Sequence, residues 1–115
     1  MDIATLASTT QLQEALAMAQ AAGNKTVVVD FTATWCGPCK KIAPVLHDLA
    51  SAHVDNFNVY KADVDVATDL VDHFKVQTMP TFIFFRNNTV VYVLKGASSE
   101  LLKQAFEIIT ALTTK

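Results

Sequence analysis

The sequence predicts an α/β fold: one mixed central sheet of about five strands, flanked by four helices on both faces. Three observations predict it. Strand-length apolar runs alternate with segments of helical periodicity along the chain. The run Val27-Val28-Val29-Asp30-Phe31 is too continuously apolar to have one wet face, which places it centrally in a covered sheet. Two later runs are separated only by Asn87-Asn88, a pair that tolerates positive φ and suits a tight hairpin. The 115 residues are enough for one domain and too few for two, so a single domain over 1–115 is expected.

The elements follow in order. Ile3 and Leu6 mark a short first strand. A helix is expected over 8–22, where Leu12, Ala15, Leu16 and Ala19 repeat with helical spacing. Its start fits a capping box, Ser8 with Gln11 or Thr10 with Gln13, and Gly23 supplies a left-handed stop. Asn24 and Lys25 turn the chain into the central strand, 27–32, expected to pair in parallel. The next helix carries Ile42, Val45, Leu46, Leu49 and His53 on one face. Pro44 has no N–H to donate and crowds the preceding turn, so a kink is expected there. A strand over 57–62 is closed by Asp63-Val64-Asp65, and Asp65 can cap a short helix whose Val66, Leu70 and Phe74 share a face. Gln77-Thr78-Met79-Pro80 breaks the pattern before strands over 81–86 and 89–95. Gly96 ends the second of these. Ser98 or Ser99 caps a last helix, Glu100 sits in its first turn, and Leu102, Ala105, Phe106, Ile109 and Leu112 form its buried stripe. Phe31, Phe82, Phe84, Phe85 and Phe106 are expected in the core or the hairpin. Strand–helix–strand units imply right-handed parallel crossovers, and the hairpin adds an antiparallel edge.

Composition narrows the function. Hydrophobic residues make up 51% of the chain, enough for a packed core, and a net charge of −2 gives no electrostatic footprint for nucleic acid or anionic membrane. No apolar run approaches the ~20 residues of a membrane span. The N-terminus does not read as a leader: Asp2 is acidic, Lys25 is the first basic side chain, and no apolar core of signal length follows Met1. A cytoplasmic protein is expected. In that reducing setting a closely spaced cysteine pair is more often catalytic than a structural staple.

That pair lies in Trp35-Cys36-Gly37-Pro38-Cys39-Lys40, which holds the only two cysteines and the only tryptophan. It sits between the central strand and an apolar-periodic helix, where two thiols form a reversible dithiol/disulfide couple. Zinc is the other common use of such spacing, but a second close Cys/His pair is missing and His47, His53 and His73 are scattered. No metal is expected, and no chemistry is assigned to the histidines. At a helix start the unpaired amides and the dipole favour an anion, so Cys36 is the side chain placed to ionise. Cys39, one turn in, should be less exposed. Pro38 fixes its φ, lacks an N–H and fits the first turn, while Gly37 leaves room for another chain.

Asp30-Phe31, the Trp-Cys-Gly-Pro-Cys-Lys run, Pro44, Asp63-Val64-Asp65, Met79-Pro80-Thr81 and Lys95-Gly96-Ala97 occur in the order seen in thioredoxins, and the sequence resembles that family over nearly its whole length. The resemblance implies a thioredoxin fold and a general protein-disulfide reductase active in cell redox homeostasis. Cys36 would be the nucleophile and Cys39 the resolving thiol. Thioredoxins are themselves a standard example of a lowered thiol pKa, so that direction is a family property and no independent prediction. Proline between the cysteines, where oxidases and isomerases of the superfamily tend to carry histidine, argues for a reductant. No cofactor would be bound: electrons would come from NADPH only indirectly, through thioredoxin reductase. The partners implied are that reductase and disulfide-containing protein substrates, with the chain a monomer.

Further residues carry expectations of their own. A carboxylate inside Val-Val-Val-Asp-Phe is costly to bury ionised, so the pKa of Asp30 should rise toward that of a proton acceptor for Cys39; the alternative is a strand aspartate on a solvated face. Lys61, by resemblance, lies near Asp30 and favours its charged form; otherwise it is a surface lysine. Met79-Pro80 resembles the family's cis-proline loop, with the Met79 backbone pairing an extended substrate; the alternative is an ordinary strand-starting proline. Trp35 is expected exposed, forming a contact patch with Gly37, Pro38, Met79, Gly96 and Ala97; as a buried side chain it would be core. Thr32 stands where many bacterial thioredoxins carry a second tryptophan, which leans toward the eukaryotic or plant-like branch. Two other readings stay open: a disulfide isomerase or oxidase, and a binding module that uses the same surface without turnover.

Overall fold

The computed structural model describes residues 3–113. Met1 and Asp2, on which part of the leader reading rests, lie outside the described residues. The element order is β1 (Ala4–Thr5), α1 (Thr9–Ala21), β2 (Thr26–Thr32), α2 (Gly37–Ala52), β3 (Phe57–Asp63), α3 (Thr68–Phe74), β4 (Thr81–Arg86), β5 (Thr89–Lys95) and α4 (Ser99–Thr113). The five strands form one mixed sheet in the order β1-β3-β2-β4-β5.

The central run is buried on both sides because successive side chains point to opposite faces. Val27, Val29 and Phe31 join Leu12, Ala15, Ala19, Leu70, Ile83 and Phe85 in one cluster, under α1 and α3. Val28 joins Ile42, Leu46, Phe82, Phe84, Leu102, Phe106 and Ile109 in the other, under α2 and α4. Asp30 shares the parity of Val28 and therefore faces α2. Each large apolar side chain removed from water stabilises the fold by roughly 1.5–3 kcal/mol, so the sheet is held from both faces. All five phenylalanines expected in the core or hairpin are buried.

Local signals fix the ends of the elements. Ser8 caps α1, its Oγ accepting the Gln11 N–H at 3.2 Å, and Gln11 Oε1 accepts the Ala7 N–H at 2.7 Å. Ser98 caps α4 in the same way through the Leu101 N–H at 3.1 Å. Asn87 and Asn88 both adopt positive φ, 55° and 60°, the conformation a two-residue turn requires. α2 runs unbroken through Pro44.

Three expectations are corrected. β2 pairs in parallel with β3 but antiparallel with β4, so the last strand–helix–strand unit is no parallel crossover. The register gives the reason. Asp63 ends β3 beside Thr32, and Thr81 starts β4 beside Phe31, so both ends of the connection lie at one edge of the sheet. A helix of only seven residues suffices because the chain need not travel back. α3 begins later than expected: Ala67 precedes it with no side-chain cap, Asp65 caps nothing, and Val66 is exposed. Leu112 leaves the stripe of α4 and is 75% exposed, past the end of the sheet's cover. His53, placed by its spacing on the apolar face of α2, is the residue just after the helix and stacks on Phe57 and Phe106 at ring-centroid distances of 5.4 and 5.3 Å.

Candidate active site

β2, α2 and the loop before β4 meet at one edge of the sheet, and the sequence-predicted residues gather there. Cys36 is the N-cap of α2, with extended backbone, and its Sγ accepts the Cys39 N–H at 3.2 Å. The helix starts here because Gly37 and Pro38 occupy its first two positions, where a missing N–H costs nothing. Cys36 and Cys39 are joined as a disulfide with their Cα atoms 5.3 Å apart. Both are buried, 5% and 3% exposed, so the expected contrast between them is slight in this oxidised form. Ala33 closes the small cluster around them, and Val64 and Met79 pack against it.

Gly37 and Pro38 are exposed on the outer side of the turn, and a Cβ on Gly37 would meet no protein atom within 4 Å. The Met79–Pro80 peptide is cis. The Gly96 N–H donates to the Pro80 carbonyl at 2.8 Å, which ties the end of β5 to the cis-proline loop, and Gly96 itself takes a φ of 97°. Trp35 is 63% exposed, with Ala97 also exposed and Met79 and Gly96 half-buried. An open surface of small and apolar groups thus borders the disulfide.

Behind the disulfide lies Asp30. It is buried, and its Oδ1 has no hydrogen-bond partner among the described residues. Loss of hydration pushes its carboxyl up from 3.8 to about 7, partly opposed by the Lys61 cation. The solvated-face alternative is thereby excluded. Lys61 is the register partner of Asp30 on β3 and is exposed. A cleft of about 420 Å³ is lined by Asp30, Thr32, Cys39, Lys40, Lys61 and Asp63 among others, so carboxyl, resolving thiol and lysine share one cavity. Among the described residues no three His, Cys, Asp or Glu side chains gather as a metal site.

Two residues escaped the sequence reading. Asp65 Oδ2 accepts the Trp35 Nε1–H at 2.8 Å, which pins the exposed indole beside Cys36. Residues 35 and 65 are thirty apart, and nothing local in either segment signals the contact. His47 lines a second cleft with Asp30 and Lys61. A signal for it existed: Cys39, Ala43 and His47 are spaced four apart on one helix, hence along one side of it.

Comparison with known proteins agrees with this geometry. The family model described as Thioredoxin matches residues 5–107. The chain is 45% identical over 86 residues to a thioredoxin of Ophiophagus hannah, covering 75% of this chain and 81% of that protein. It is 46% identical over 96 residues to a thioredoxin of Homo sapiens, covering 84% and 88%. The structure of Fasciola hepatica thioredoxin superposes with a TM-score of 0.83 at 30% identity, covering 92% of this chain and 98% of that one. These relatives are eukaryotic, in keeping with Thr32 in place of a second tryptophan. A family match across most of the chain, together with an intact Cys36–Cys39 pair, establishes that the chain belongs to the thioredoxin family of protein-disulfide reductases.

Proposed function

We propose that Cys36 is the nucleophile, Cys39 the resolving thiol and Asp30 the base of a general protein-disulfide reductase. In the dithiol form the Cys36 thiolate attacks one sulfur of a substrate disulfide, and the other sulfur leaves with the electron pair and takes a proton from water. Cys39 then attacks Cys36 Sγ. Its thiol proton passes to Asp30, the bond from Cys36 to the substrate breaks, and the second substrate thiolate leaves. Two electrons have moved to the substrate, and Cys36–Cys39 is a disulfide. Thioredoxin reductase, drawing on NADPH, would restore the dithiol, so the chain binds no cofactor of its own.

One observation carries this reading: the Cys36 sulfur sits at the N-cap of α2 and accepts an amide hydrogen bond there. That site favours a thiolate over a thiol. The base role of Asp30 is supported by its burial and by a carboxyl raised to about 7, which can both accept and release a proton at neutral pH. Lys61 would keep that value from rising further. Trp35, Gly37, Pro38, Met79, Pro80, Gly96 and Ala97 would receive an extended substrate chain against the loop backbone. We place the protein in the cytoplasm as a monomeric single domain over 1–115; no helix of the described residues is long and apolar enough to cross a membrane.

The test is the equilibrium reduction potential of the Cys36–Cys39 pair. Thioredoxin is the standard example of a potential of about −270 mV, so that figure is the example's own. A value in that region is expected. One near about −180 mV would mark an isomerase-like poise and overturn the reductant assignment.

A further inference from the structure

Residues 77–79, in the loop that runs from α3 into β4, are held by one hydrogen bond among the described residues. The chain is anchored before them, where the Val76 N–H donates to the Val71 carbonyl, and after them, where Gly96 donates to Pro80. Between those anchors the Thr81 hydroxyl donates to the Thr78 carbonyl. Among the described residues the N–H and C=O of Met79 have no partner.

Thr81 is a fixed post for this bond. It is the first residue of β4, and its backbone is paired with Phe31 on one side and Lys95 on the other. Its side chain is buried, and a buried hydroxyl needs a partner inside the protein. Packing alone would be served by valine, which has nearly the same shape. Thr78 is exposed, where water can satisfy a carbonyl, so the bond is not needed for that carbonyl's sake. What the bond does is tie a loop to the sheet. Met79 packs against the cysteine cluster, and its free N–H and C=O are the donor and acceptor of one rung of strand pairing. Fixing that rung in advance lowers the ordering cost of receiving a chain there.

We propose that Thr81 is a positioning residue for substrate: its hydroxyl holds the loop so that the Met79 N–H and C=O stand ready for the extended chain that carries the substrate disulfide. The proposal rests on the Met79 backbone receiving that chain. It makes Thr81 a source of preference for disulfides carried on polypeptide over small disulfides that offer no backbone.

The experiment compares rate constants for attack by the pre-reduced protein on insulin and on dithiobis(nitrobenzoate), a small aromatic disulfide. Thr81→Val and Thr81→Ala should slow attack on insulin about fivefold, the factor that one net hydrogen bond corresponds to. Both should leave the small disulfide and the reduction potential of the Cys36–Cys39 pair unchanged, whereas a merely structural role would move both substrates together. Thr81→Ser keeps the hydroxyl and should restore the insulin rate. Wild-type insulin rates for valine and alanine, equal slowing on both disulfides, or a serine variant as slow as valine would overturn the proposal. Hydrogen exchange of the Met79 amide, in the mixed disulfide of Cys39→Ser with a cysteine-containing peptide, separates the proposal from the reading beneath it. Protection that falls about fivefold when Thr81→Val is added supports it. Equal protection with and without the hydroxyl sinks the positioning role alone. No protection in either means that the Met79 backbone does not pair with substrate, and the proposal falls with that reading.

Discussion

Replacing Asp30 by asparagine should make the protein more stable at neutral and alkaline pH, although it impairs the proposed chemistry. The size follows from burial. The carboxyl titrates at about 7 in the folded chain and near 3.8 when exposed. Between those values the folded state holds a proton that the unfolded state has lost, so stability falls as pH rises through this window. Each pH unit costs about 1.4 kcal/mol, and the interval spans roughly three units, so the ionised carboxylate destabilises the fold by about 4 kcal/mol above pH 8. Below about pH 4 both states are protonated and the cost vanishes. Asparagine never ionises. Denaturant unfolding of the oxidised wild type and Asp30→Asn, from pH 4 to 9, should give curves that nearly meet at the acid end and separate by several kcal/mol at the alkaline end, the variant being the more stable. Other carboxylates titrate in both proteins and cancel in the difference. Parallel curves would refute the argument, because they would mean that the buried carboxyl is hydrated in solution.

Three further outcomes are expected. Lys61→Met removes the cation that opposes desolvation, so the Asp30 carboxyl should titrate higher than in the wild type when followed by carboxyl NMR; an unchanged or lower value would dissociate the two residues. Ile109→Ala should cost about 2–4 kcal/mol in denaturant unfolding and Leu112→Ala less than about 0.5, because the first empties a packed site and the second trims an exposed side chain. Asp65→Ala should loosen the indole of Trp35, seen as lower tryptophan fluorescence anisotropy, at a stability cost of about 1 kcal/mol.

Local signals translated well into structure. Ser8, Gly23, Ser98 and the Asn87-Asn88 pair act through their own backbone or a residue three away, so their roles are legible without the fold. The central strand was legible because burial on both faces removes the alternation that one wet face imposes. The same run exposed Asp30, since an ionisable side chain among valines has few benign explanations. What escaped depends on contacts distant in sequence. The direction of β4 follows from where two strand ends meet, which neither segment encodes alone. Asp65 fits a helix cap by local rules, yet its carboxylate goes to an indole thirty residues away. Leu112 continues a helical stripe whose cover has already ended. His47 lies on an exposed turn of α2, and its relation to Asp30 exists only once helix and sheet are packed.

The division of labour between the two cysteines is tested most directly by trapping. Cys39→Ser leaves the attacking sulfur and removes the one that resolves; Cys36→Ser does the reverse. Each reduced variant is mixed with a protein disulfide, quenched in acid and weighed intact, and the adduct is mapped by mass spectrometry. A long-lived mixed disulfide is expected on Cys36 in Cys39→Ser, and little or none on Cys39 in Cys36→Ser. A comparable adduct on Cys39 in Cys36→Ser would contradict the assignment, because the N-cap sulfur would then hold no advantage as the nucleophile.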